Sequence, residues 1–210
     1  MKRTPLYTFA RTLLPWLFRT LFPMNVRDRK KMPKTGRVIL CCNHVSMSDP
    51  LRLAYSQRRQ IFFMSKAELY KNKFVGFIIG ALGAFSVSRG TGDKRAINTA
   101  KQLLENEQVI GIFIEGTRSK DGNLLSPKSG AVMLAHSCNT PILPCCITAR
   151  NGGLPKPFRK CLVSYGDLIR PEELLIKEGT PSEYRAASRF VMEKIAALRE
   201  KDLSLFASGA

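Results

Sequence analysis

Short apolar runs alternate with helix-like stretches along this chain, and that alternation restricts the fold more than any other feature. Arg37–Cys42, Ile61–Ser65, Phe85–Val87, Val109–Ile114, Ile142–Thr148 and Lys160–Tyr165 read as strands. Pro50–Gln57, Phe74–Leu82, Asp93–Asn106 and Lys128–Cys138 read as helices between them. Thr180-Pro181-Ser182-Glu183 has capping-box spacing with proline at the first helical position, so a last helix should run from there to about Lys201. Strands that are apolar throughout and separated by helices belong to a sheet covered on both faces. The expected fold class is therefore α/β, with a largely parallel or mixed central sheet flanked by helices. Lys160–Tyr165 is placed at a sheet edge. The 210 residues suit one such domain, expected over 31–210, with residues 1–30 as a separate helical segment.

That N-terminal segment is amphipathic. Leu6, Phe9, Ala10, Leu13, Leu17 and Leu21 recur at helical spacing, and Trp16, Phe18 and Phe22 widen the apolar face. Pro15 and Pro23 kink or end it. Arg11 and Arg19 break the apolar stretch, so it reads neither as a signal peptide nor as the roughly 20 apolar residues of a membrane span. Arg27, Arg29, Lys30, Lys31, Lys34 and Arg37 follow at once. An aromatic stripe beside a polybasic stretch suits a helix lying among anionic headgroups; a helix packed on its own domain is the other reading.

The charge is uneven. Net charge is +18, and residues 1–60 hold 13 Lys/Arg against Asp28 and Asp49. Such a balance calls for a polyanionic partner, either a membrane face or a nucleic acid. No nucleic-acid recognition motif is present, and the aromatics do not interleave with the basic run, so the expectation is a membrane and no nucleic acid. The six cysteines include the adjacent pairs Cys41-Cys42 and Cys145-Cys146, which alternate across a strand and so read as reduced core residues. Cys41, Cys42, His44 and His136 match no familiar zinc spacing, and no metal is expected.

Two loops carry chemistry. Asn43-His44-Val45-Ser46-Met47-Ser48-Asp49-Pro50 follows the first apolar strand, and Glu115-Gly116-Thr117-Arg118-Ser119 follows the strand ending at Ile114. Asp49, before Pro50, is expected to cap a helix and to reach back to His44. A carboxylate on one ring nitrogen leaves the other free to take a proton. The alternative is that Asp49 only caps and His44 only satisfies its loop. Gly116 permits a tight turn, Arg118 offers a planar fork to phosphate oxygens, and Thr117 adds a hydroxyl. Glu115 is available to hold Arg118 or the loop. Arg89 is a candidate second cation for the same anion. Phe74–Ser88 holds 15 uncharged residues, read as core or as the wall of an acyl groove.

These blocks resemble the 1-acylglycerol-3-phosphate acyltransferase (lysophosphatidate acyltransferase) family. Asn43-His44 with Asp49, Gly83 through Arg89, Phe113 through Ser119 and Pro141-Ile142-Leu143-Pro144 stand in the family's order, and Lys66-Ala67-Glu68-Leu69 sits where a similar run is common. The chain departs from the pattern at Ile114 (usually proline), Met47 (often tryptophan), Ser86 and Ser88. The resemblance implies that His44 is a general base oriented by Asp49. It further implies that Arg118 and Arg89 hold an acceptor phosphate in a loop shaped by Glu115, Gly116 and Thr117, and that no covalent acyl-enzyme forms. Lys66 or nearby backbone N–H groups are candidates for the oxyanion. The implied acceptor is lysophosphatidate, with glycerol-3-phosphate or another lysophospholipid as the runner-up. The implied donor is acyl-carrier protein or CoA thioester, with no further cofactor. The expected location is peripheral, on the cytoplasmic membrane face.

Overall fold

The computed structural model describes residues 19–66, 83–87 and 94–208. Most of the expected amphipathic segment, the helix expected over Phe74–Leu82, and Arg89 lie outside the described residues.

Seven strands form one sheet: β1 (Met24–Arg27), β2 (Val38–Cys42), β3 (Ile61–Lys66), β4 (Ala84–Val87), β5 (Val109–Phe113), β6 (Ile142–Ala149) and β7 (Cys161–Tyr165). Their spatial order is β1-β7-β6-β2-β5-β3-β4. Every pairing is parallel except β6 with β7, so β1 and β7 run against the other five. Helices α1 (Asp49–Ser56), α2 (Lys94–Glu105), α3 (Gly130–Ser137) and α4 (Pro181–Ala207) complete the described domain. This is the expected layered α/β fold.

Three expectations need correction. Residues 24–27 do not continue an N-terminal helix. Met24–Arg27 pairs in parallel register with Cys161–Ser164, so the sheet begins inside the segment assigned to residues 1–30. For the same reason β7 is not an edge strand. A four-residue edge strand leaves little periodicity to read, and its own Arg27 with the following Arg29 and Lys30 disguises it as part of a basic surface stretch. α4 also runs past Lys201 to Ala207.

The sheet has apolar packing on both faces. One face carries Ile39, Cys41, Ile110 and Cys146 against buried side chains of α2, α3 and α4. The other carries Val38, Leu40, Cys42, Val109, Cys145 and Tyr165 with Leu53 of α1. Each adjacent cysteine pair is therefore split between the two cores, as strand alternation requires, and all six thiols are free. At the amino end of α4, Thr180 and Glu183 make the reciprocal capping box. Further along, buried Asp202 accepts hydroxyl hydrogen bonds from Thr148 of β6 and Ser164 of β7, pinning α4 to the sheet.

Strand direction decides where the loops gather. The carboxyl ends of β2, β5 and β6 share one rim, and the antiparallel turn brings the start of β7 there too. Met24, paired with Cys161, brings the chain's entry to that same rim.

Candidate active site

His44 stands two residues beyond β2, at the middle of this rim. Asn43 sets it in place. Its buried amide donates to the Ile147 carbonyl at 3.0 Å and accepts the Ile147 N–H at 2.8 Å, imitating one more residue of strand pairing with β6. The chain then leaves the sheet and turns into α1.

Asp49 does not cap that helix in the forward direction. It is the first residue of α1, and its Oδ2 accepts the upstream N–H groups of Val45 and Ser46, both at 2.7 Å. The same oxygen lies 2.9 Å from His44 Nδ1. Asp49 is fully buried, whereas the His44 side chain keeps 13% of its surface open. A buried carboxylate at Nδ1 favours the tautomer with hydrogen there and leaves Nε2 as the basic nitrogen. Of the two readings of Asp49 left open by the sequence, the geometry selects the one that reaches back to the imidazole.

Behind the imidazole is an aromatic column. The His44 ring stacks on Phe113 with centroids 3.9 Å apart, and Phe113 stacks on Phe63 at 5.8 Å. Phe63 has room because residue 111 is glycine; a Cβ there would lie 2.3 Å from the Phe63 ring. The pairing of Cys42 with Phe113 puts that ring beside the strand end from which His44 emerges.

The second loop is bolted to the first. Glu115, 1% exposed, accepts the His44 N–H at 3.1 Å through Oε1 and the Leu125 N–H at 3.2 Å through Oε2. Ser119 donates its N–H to the His44 carbonyl at 2.8 Å. Glu115 thus holds the loop, not Arg118. Burial pushes its carboxyl above the ordinary range and the Asp49 charge adds to this, while the two backbone donors oppose the shift. Gly116 makes the tight turn at φ +71°, with its N–H on the Phe113 carbonyl at 3.0 Å. Thr117 and Arg118 are exposed at the tip of this turn. Lys66 is the last residue of β3. The described structure therefore brings His44, Asp49, Glu115, Gly116, Thr117 and Arg118 to one rim.

One neighbour had no signal in the sequence. Arg52, one turn along α1 from Asp49, is fully buried, with Nε on Ser48 Oγ at 3.2 Å and Nη1 on Cys161 Sγ at 2.9 Å. Its guanidinium lies over the Phe22 ring at 5.1 Å. It places a positive charge in the interior one helical turn from Asp49. Among the described residues, no group of three or more metal-ligating side chains comes together.

An imidazole held by a buried carboxylate, beside a loop that presents an exposed arginine, is an arrangement able to take a proton from a hydroxyl next to an anion. Comparison with known proteins decides the family: residues 23–148, more than half the chain, match the acyltransferase family model. The chain belongs to the acyltransferase family. Among relatives of this acyltransferase, the 1-acyl-sn-glycerol-3-phosphate acyltransferase of Bacillus subtilis is 28% identical over 149 residues, covering 70% of this chain and 74% of the relative. The lyso-ornithine lipid O-acyltransferase of Pseudomonas aeruginosa is 29% identical, covering 93% of this chain and 78% of the relative. The crystal structure of the 1-acyl-sn-glycerophosphate acyltransferase PlsC from Thermotoga maritima superposes with a TM-score of 0.71 at 26% identity, covering 93% of this chain and 77% of that one. The acyltransferase domain thus accounts for both loops and the sheet between them.

Proposed function

We propose that the protein transfers a fatty acyl group from a thioester to the free sn-2 hydroxyl of 1-acyl-sn-glycerol-3-phosphate, giving phosphatidic acid. The observation that carries this reading is the 2.9 Å bond from His44 Nδ1 to buried Asp49, in a loop tied through Glu115 and Ser119 to the loop that bears Arg118.

His44 Nε2 takes the proton of the acceptor hydroxyl as its oxygen attacks the thioester carbonyl. The imidazolium that forms is balanced by Asp49. The tetrahedral intermediate collapses, its C–S bond breaks, and the thiolate leaves and recovers a proton from His44. Arg118 and Arg89 bind the acceptor phosphate; Lys66 or loop N–H groups stabilise the oxyanion. The donor is an acyl-carrier protein or CoA thioester, and no other cofactor takes part. The enzyme works on the cytoplasmic face of an anionic membrane without spanning it; among the described residues no helix is long and apolar enough to cross one.

A second acceptor class has its own support. The Pseudomonas relative, which covers 93% of this chain, is named for a lyso-ornithine lipid. The deciding experiment follows thiol release from acyl-CoA and from acyl-carrier protein, with lysophosphatidate, glycerol-3-phosphate, lyso-ornithine lipid or no acceptor. Lysophosphatidate is expected to give the highest kcat/KM. Arg118→Ala should raise KM for lysophosphatidate roughly tenfold or more, as expected for losing a charged hydrogen bond. A preference for lyso-ornithine lipid that ignores Arg118 rejects the phosphate assignment.

A further inference from the structure

The loop between β6 and β7 has no part in the reaction above. It runs Arg150-Asn151-Gly152-Gly153-Leu154-Pro155-Lys156-Pro157-Phe158-Arg159-Lys160, with four cations and no acid. Phe158 is 65% exposed and Leu154 41% exposed, and Arg150, Lys156, Arg159 and Lys160 are exposed around them. A large aromatic ring left in water gains nothing for the fold, and two flanking prolines stiffen the stretch that presents it.

The root of the loop is held firmly. Arg199 of α4 donates to the Gly152 carbonyl at 2.7 Å and to the Gly122 carbonyl at 3.2 Å, joining this loop to the one that continues from Ser119. On the far side, the Phe158 N–H donates to the Leu21 carbonyl at 2.9 Å, and the Cys161 N–H to the Pro23 carbonyl at 3.2 Å. The tip therefore stands beside the entry of the chain, on the same rim as His44. Met47, in the catalytic loop of this rim, is itself 73% exposed.

We propose that the Arg150–Lys160 loop is a membrane-contact element that inserts Phe158 and Leu154 among anionic headgroups. In this arrangement Lys156, Arg159 and Lys160 meet lipid phosphates, and the loop holds the rim that bears His44 against the bilayer. The proposal rests on the reading of the protein as an enzyme of a lipid surface. Charge complementarity alone also fits an acidic carrier protein; an exposed leucine and phenylalanine on either side of the Pro155-Lys156-Pro157 run favour lipid.

The test uses the full chain. Trp16 is the only tryptophan, so a Trp16→Phe/Phe158→Trp protein reports on the loop alone. Vesicles of phosphatidylcholine and phosphatidylglycerol in equal parts should shift its emission to the blue, and lipid brominated on the acyl chain should quench it. Phosphatidylcholine alone should do neither. Leu154→Ser/Phe158→Ser, with an unchanged melting temperature, should bind the mixed vesicles roughly tenfold more weakly, and Lys156→Glu/Arg159→Glu should bind with a smaller salt dependence. Emission that stays at the solvent-exposed wavelength while the protein sediments with the vesicles overturns the proposal. So does a response to acidic acyl-carrier protein in place of the vesicles. Vesicle contact is read without turnover, so an inactive protein counts against the proposed reaction and not against the loop.

Discussion

At the scale of single residues, the described site depends on side chains that replace backbone. Asn43 satisfies both polar groups of Ile147, and Asp49 satisfies the N–H groups of Val45 and Ser46 while holding His44. Asn43→Ala should cost about 2–4 kcal/mol in denaturant unfolding, because it strands a buried N–H and a buried carbonyl together. His44→Ala should still fold, with a lower melting temperature for the lost Phe113 stack and Asp49 partner, and should lower kcat by about 100- to 10,000-fold, the range lost with a general base; near-normal turnover would reject the role. The sequence spacing made a His44–Asp49 pair one of two open readings, and the 2.9 Å contact in the fold selects it. The spacing could not supply the stack on Phe113. That contact comes from the register of β2 with β5, which is set by residues some 70 positions apart in the chain.

At the scale of elements, apolar content separated the strands well when both faces were buried. β2 and β7 are buried at every position and were read to within a residue at their carboxyl ends. β1 escapes such a reading because its four residues, three half-buried and one exposed, carry no such run. α4 shows a different limit: its capping box marks the start, but what holds its far end is Asp202, whose partners Thr148 and Ser164 belong to other elements. Burial raises the Asp202 carboxyl above its ordinary range, and the two hydroxyl donors offset this only in part. A raised carboxyl favours the neutral form in the fold, so its contribution is full at low pH and is lost as pH rises through the raised value. Asp202→Asn should therefore gain melting temperature relative to the parent as pH is raised from 4 to 8. A difference that stays flat across that range, or runs the other way, would contradict the assignment.

At the scale of the whole molecule, the cysteines report on the integrity of both cores. Cys41 and Cys146 face one core, Cys42 and Cys145 the other, and Cys161 lies under α1 beside Arg52. Burial raises the thiols of Cys41, Cys42 and Cys146, and pushes Cys161 up to about 11. Only Cys138 is partly open to solvent. A maleimide probe should label Cys138 first in the native protein, with the other five reacting only on unfolding; peptide mass spectrometry distinguishes the sites. Early labelling of the buried thiols would show that one face of the sheet opens.

The double attachment of His44 has a kinetic consequence. Its N–H is bonded to Glu115 and its carbonyl to Ser119, so the two loops are stapled at one residue and cannot part like jaws without breaking both bonds. A clamshell motion of these two loops is therefore not expected to govern the rate of turnover at this rim.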